Sequence, residues 1–144
     1  SGGLAFMVDK RNNRINATKG IYSSLSSTLT GGMRTDEDQV LSVFGGDFNN
    51  SLIWDRPNKG NNFFDINTQL ESLGFVSAYH QKTNEGFGAE DAATFFQTKA
   101  KSKKYHIDYL YLRSLKVNSV GVGNYEDWIK LSDHVPIVVE CVNS

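Results

Sequence analysis

The sequence predicts an α+β fold: a mixed, mainly antiparallel sheet with helices on one face. Three observations carry this. Short apolar runs rich in Val, Ile, Phe and Tyr recur along the chain and are too brief for helices. Two other stretches place apolar residues three and four apart, the helical period. Polar links between the later runs suit hairpins rather than crossover helices. At 144 residues the chain reads as a single domain over 1–144 with room for a sizeable core.

Taken in order, Leu4 to Val8 reads as a strand and Asp9 to Asn13 as a polar loop. Ile21, Tyr22, Leu25 and Leu29 predict a helix from about Asn16 to Leu29, ended by Gly31-Gly32. Gly20 weakens that helix by about 1 kcal/mol relative to alanine. Asp36, Glu37 and Asp38 form an acidic turn before a strand from Val40 to Phe44. A loop from Asn50 to Asn62 leads to a second helix, marked by Phe63, Ile66, Leu70 and Leu73, with Asn61 or Asn62 as its cap and Gly74 as its stop. Phe75 to Tyr79 reads as a strand and Gln81 to Asp91 as a loop. Thr94-Phe95-Phe96 and Tyr105 to Leu112 read as strands joined by the lysine-rich link Lys99 to Lys104. Val117 to Val122 is a further strand, Glu126 to Ile129 a turn of helix, and Val135 to Val142 a closing, buried strand.

Composition narrows the partners. The chain is 39% hydrophobic and 22% charged with a net charge of −1, so attraction for phosphate must be local rather than global. One cysteine, Cys141, excludes an internal disulfide and a Cys-rich zinc site. No apolar run approaches the roughly 18 residues that span a bilayer, so no membrane partner is expected.

Three short acidic boxes stand where apolar runs meet polar breaks: Gly46-Asp47-Phe48-Asn49, His106-Ile107-Asp108-Tyr109 and Ser132-Asp133-His134. Asp47 and Asn49 are two apart, so in extended backbone they share a face, where a carboxylate and an amide can hold a water and a phosphate oxygen. An Asx turn closing the strand is the competing reading. Asp108 is an acid inside an apolar, aromatic strand; if buried, its carboxylate needs a partner such as an imidazole, and an edge-strand acid facing water is the competing reading. His106 lies on the same strand face. Asp133 can ligate a hard cation such as Mg²⁺, and His134 can contact a phosphoryl group. Lys99, Lys101, Lys103 and Lys104 can contact a phosphate backbone, or form a solvated hairpin tip. Trp54 can stack on a base, or pack.

The order and flanks of the boxes resemble the endonuclease/exonuclease/phosphatase superfamily, metal-dependent phosphodiesterases that include exonuclease III-like and deoxyribonuclease-like enzymes. The likeness rests on the GDFN strand end, the HIDYLYL strand and the SDHVPIVVE terminus, and extends over roughly residues 14–142. It includes Asn50-Ser51 with Trp54-Asp55, Leu73-Gly74-Phe75 and Thr94-Phe95-Phe96. The resemblance implies Mg²⁺, with Mn²⁺ as a substitute, and in-line attack of water on phosphorus. It implies that Asp47 activates the water and Asn49 positions it. Asp133 would be metal-linked, His134 would bond the scissile phosphate, and Asp108 would orient that histidine. Asn50, Trp54, Lys103 and His106 would contact the substrate, nucleic acid or another phosphoester.

The chain departs from the family pattern. It corresponds to the C-terminal half of a four-layer α/β sandwich. The Asn on a first strand, the metal-binding Glu and the mid-chain His of the other half have no counterpart here. The expectation is therefore a partial domain whose sheet has an unmatched apolar face, completed by the N-terminal half or by another copy of the chain. A non-catalytic binding module that keeps the superfamily frame is the alternative.

Overall fold

The structure is a computed structural model; it describes residues 4–9, 14–15, 29–34 and 40–143, with side chains over 41–142. Among the described residues, ten strands and three α-helices follow in order, with two short 3-10 turns at Leu52–Trp54 and Gln97–Lys99. They are β1 (Leu4–Asp9), β2 (Arg14–Ile15), β3 (Leu29–Arg34), β4 (Val40–Asp47), α1 (Phe63–Ser72), β5 (Val76–Ser77), α2 (Ala78–Thr83), β6 (Phe95–Phe96), β7 (Lys104–Tyr105), β8 (Asp108–Arg113), β9 (Leu115–Val122), α3 (Tyr125–Trp128) and β10 (Ile137–Asn143). One sheet has the order β2-β1-β10-β9, a second β3-β4-β8-β5, and β6-β7 form a ribbon. Every pairing among the described strands is antiparallel. The α+β class stands, with two four-stranded sheets in place of the single sheet expected. Among the described residues, no helix is long and apolar enough to cross a membrane.

Strand alternation explains how the sheets meet. On β4 and β8, Leu41, Val43, Leu110 and Leu112 point one way. They pack against Leu115, Val117, Ile137, Val139 and Cys141 from the other sheet, forming one buried cluster. The opposite face of β8 carries Tyr109 and Tyr111, which pack with Phe63 and Leu70 of α1 and with Phe44 and Phe48. Each face of the central β4–β8 pair is thus covered, by the other sheet or by α1. The helices do not share one face: Ala78 of α2 joins the cluster between the sheets.

Local chemistry accounts for α1. Phe63, Asn67 and Leu70 fall on one helical face, and Tyr111 Oη donates to Asn67 Oδ1 at 2.7 Å across the interface. The cap differs from expectation. Asn62 makes no side-chain cap bond. Asp55 instead accepts the N–H groups of Phe63 (2.6 Å) and Phe64 (2.8 Å), a carboxylate placed at the positive end of the helix dipole. Gly74 ends the helix at φ +80°, a conformation that glycine adopts without penalty.

Two expected elements change. The helix expected over about 16–29 lies largely outside the described residues, but its supposed stop, Gly31-Gly32, sits within β3 and pairs with Val43 and Ser42. Pairing with β4 overrides the breaker signal there. Phe75–Tyr79 is a strand only at Val76 and Ser77. Ser77, Ala78 and Tyr79 are buried consecutively as the chain leaves β5 at Ser77 and turns into α2 at Ala78.

Gly45 holds the central pair at close range. A Cβ there would lie 2.6 Å from the carbonyl oxygen of Tyr109 and 2.8 Å from Leu110 Cδ1. Gly45→Ala should therefore force β4 from β8 and lower the unfolding free energy by about 1–3 kcal/mol in urea titration. An unchanged midpoint would show that the ladder accommodates the methyl.

Candidate active site

Register alone brings the first two acids together. Asp47 pairs with Asp108 across the β4–β8 ladder. Asp47 continues the inward row Leu41, Val43, Gly45, and Asp108 continues the row Leu112, Leu110. Both carboxylates therefore stand where the apolar filling between the sheets stops. His134 comes from the segment before β10. That segment is pinned by an isolated bridge between Phe95 and His134 and by the Val135 N–H donating to Thr94 O at 2.8 Å.

The three side chains converge. His134 Nδ1 lies 2.9 Å from Asp108 Oδ2, and its Nε2 lies 3.8 Å from Asp47 Oδ2. One ligating atom from each residue falls within 4.8 Å of the others, the one such group among the described residues. The side chains of Asp47, Asp108 and His134 are 8%, 7% and 7% exposed. In so little water an unpaired carboxylate would be costly, and each acid here faces the imidazole. An ionised Asp108 only accepts, so it fixes a hydrogen on Nδ1 and turns Nε2 towards Asp47. The imidazole partner that Asp108 requires is thus His134.

Other expected site residues are placed as follows. Asn49 is exposed with φ 49°, and its backbone N–H donates to Asp47 Oδ1 at 2.9 Å. The Asx turn is therefore present, with one Asp47 oxygen holding the turn and the other facing the imidazole. Asp133 is outside the converging group. Its carbonyl accepts from Phe96 N–H at 2.8 Å, and the residue is half-buried. Asn50 staples its own loop, donating to Asn61 O at 2.9 Å and accepting from Ser51 N–H at 3.0 Å. Trp54 packs on Tyr105 with ring centroids 5.1 Å apart. Lys103 is exposed at the hairpin tip.

His106 corrects an expectation. It is 5% exposed and precedes the start of β8, so its ring turns inward rather than towards a substrate. It packs against Tyr79 (4.7 Å between centroids) and Tyr109 (5.2 Å). Its Nδ1 bonds to the Ala92 carbonyl at 2.8 Å, which requires Nδ1–H, and its Nε2 is buried without a partner. Around it lies a polar network with no motif to announce it. His80 Nε2 bonds to Glu90 Oε1 at 3.1 Å, His80 Nδ1 bonds to Ser77 Oγ at 2.8 Å, and Tyr79 Oη donates to Glu85 Oε2 at 2.6 Å. Burial pushes the Tyr79 hydroxyl up to about 12, helped by the Glu85 carboxylate. These bonds tie the loop before β6 to α2 and β8.

Burial also holds the His106 imidazole below its ordinary range, against smaller opposing effects from the Ala92 bond and from Glu90 and Asp108; His80 adds to the lowering. The unfolded chain then takes up this proton at higher pH than the folded one. Stability is therefore full above about pH 6.5 and falls as pH drops below it. Glu90 is raised by burial but held low overall by its hydrogen bonds from His80 and backbone N–H groups, adding a second loss below its ordinary range. Unfolding midpoints should decline as pH falls below about 6.5, and His106→Gln should flatten the first part of that decline. The same slope in the variant would assign the titration elsewhere. Comparison of the chain with protein-family models, with curated proteins and with solved structures gives no match in any of the three.

Proposed function

We propose that the chain serves the Mg²⁺-dependent hydrolysis of phosphoester bonds, foremost the phosphodiesters of nucleic acid. The observation that carries this reading is the meeting of Asp47, Asp108 and His134, whose ligating atoms lie within 4.8 Å of one another. These are residues from all three boxes whose order resembles the superfamily. Asp47 orients the attacking water and accepts its proton. Asp108 holds the His134 ring, and Nε2, when protonated, donates to the phosphoryl oxygen as charge builds there. Near-exclusion of water strengthens each of these interactions.

The donor set suits a hard cation. Mg²⁺ needs only one or two carboxylates beside substrate phosphate and water. Asp47 is the carboxylate of the converging group that would hold it or Mn²⁺; Asp133, which the resemblance implies as metal-linked, lies outside that group and would have to turn towards it. The bound ion would supply Lewis-acid polarisation of the phosphoryl oxygens. Nucleic acid is favoured by what flanks the cluster. Half-buried rings run outward from His134 through Phe95 (4.7 Å), Tyr105 (6.4 Å) and Trp54 (5.1 Å), the kind of surface on which bases stack. Lys99, Lys103 and Lys104 are exposed along the adjoining ribbon. Lys101 is engaged with Glu126 and lies 5.4 Å over the Tyr125 ring.

Two experiments test the reading. In the longest natural reading frame, DNA or RNA hydrolysis should require Mg²⁺ and stop in EDTA, and Asp47→Ala or His134→Ala should slow it by about 100- to 10,000-fold. Activity that survives both the chelator and Asp47→Ala overturns the mechanism, while binding without turnover favours the non-catalytic module. Reversing Lys99, Lys103 and Lys104 to Glu should reduce the salt slope of nucleic-acid affinity by about one for each phosphate that a lysine had neutralised. An unchanged slope removes the ribbon from the interface.

A further inference from the structure

A single threonine joins the two segments that carry the acid–imidazole pair. Thr94 is 0% exposed and precedes β6. Its Oγ1 accepts two backbone N–H groups, from Ile107 at 3.0 Å and from Asp108 at 3.1 Å. Its backbone N–H donates to Tyr105 O at 2.9 Å, and its carbonyl accepts from Val135 N–H at 2.8 Å. The residues after it extend the same seam, with the Phe95–His134 bridge and Phe96 N–H donating to Asp133 O at 2.8 Å.

The chain needs such a joint at this point. β7 ends at Tyr105 and β8 starts at Asp108. Between them the ribbon ladder has stopped, so no strand carbonyl from β6 meets the N–H groups of Ile107 and Asp108. A hydroxyl oxygen with two lone pairs can serve both. On the other side, Phe48 N–H donates to Ile107 O at 2.9 Å, which ties the same peptide to the end of the Asp47 box. Asp108 is thus located by one side-chain atom and His134 by the main chain of the same residue. The 2.9 Å contact between Asp108 Oδ2 and His134 Nδ1 spans that joint.

We infer that Thr94 is a positioning residue: its hydroxyl sets the Asp108 carboxylate against His134 while its carbonyl sets the His134 segment. As a statement about the site's chemistry this rests on the hydrolytic reading above; as a statement about the imidazole it does not. Valine is nearly isosteric with threonine but lacks the acceptor, so it leaves two buried N–H groups unpaired. Serine keeps the acceptor and loses only a methyl.

The test compares Thr94→Val and Thr94→Ser with the natural residue by two readouts. The first, independent of any activity, is the downfield Nδ1–H proton resonance of His134. It should be seen in the natural protein, vanish in Thr94→Val through exchange with water, and return in Thr94→Ser. The second is hydrolysis: kcat should fall by about 10- to 100-fold in Thr94→Val with KM little changed, and Thr94→Ser should recover most of it. A Thr94→Val protein that keeps the resonance and the natural kcat overturns the inference. So does one whose loss serine does not restore, which would mark a packing role. Loss of the resonance in a protein that never hydrolysed phosphoesters leaves Thr94 in its role and refutes the hydrolytic reading instead. Should Thr94→Val not fold, hydrogen exchange in the natural protein decides. The Ile107 and Asp108 amides should be as protected as the interior of β8, and exchange as fast as in the loops overturns the inference.

Discussion

The antiparallel ladder between β4 and β8 is the constraint on which the other contacts depend. Its register sets Asp47 opposite Asp108, Gly45 opposite Leu110 and Val43 opposite Leu112. Because side chains alternate, that register also sends Leu110 and Leu112 to the other sheet, and Tyr109 and Tyr111 to α1. A slip of one residue would exchange the two faces, burying neither set correctly and parting the acids. Gly45 permits the close approach, since a side chain there would meet the Tyr109 carbonyl. Apolar packing on both faces thus holds a polar geometry at the strand end.

The polar groups at that end are satisfied by neighbours rather than by water. Asp108 has His134, and the Asp108 N–H has the Thr94 hydroxyl. Behind them, Glu90, His80, Ser77 and Tyr79 form a second set of bonds along α2 and its following loop. Buried polar groups that are each partnered specify one arrangement more tightly than apolar contacts of the same area. His106 Nε2 is the exception among the described side chains, a buried acceptor with no partner. Burial holds its imidazole below the ordinary range, so protonation there opposes the fold.

Much of the frame was legible along the chain. Apolar period and flanking glycine located α1, β4, β9 and β10 to within a few residues. The turn chemistry of Asp47 with Asn49 was visible as an Asx motif and is present alongside the converging carboxylate. What was not legible depended on contacts between distant segments. Asp55 caps a helix that starts eight residues later, so the local signal at Asn61 and Asn62 pointed to the wrong side chain. Gly31 and Gly32 look like helix stops until β4 supplies a partner strand. Ser77 to Tyr79 has strand composition, but the chain leaves the sheet at Ser77 and turns into α2 at Ala78. The imidazole bonded to Asp108 comes from 26 residues away, and strand spacing alone, without the family resemblance, did not separate it from His106, which shares the acid's box.

The sequence by itself determined the residue types at the three strand ends and the alternation that turns Asp47 and Asp108 to one side. Those are local properties, since side-chain direction along a strand has a period of two. Tertiary structure alone decided that the sheets would be two, that Thr94 would stand at the joint between β8 and the segment before β10, and that His106 would turn inward to the Ala92 carbonyl. Those outcomes rest on which buried donors and acceptors lie within about 3 Å of one another once the layers have packed, and hydrogen-bond geometry that short cannot be read from spacing along a chain.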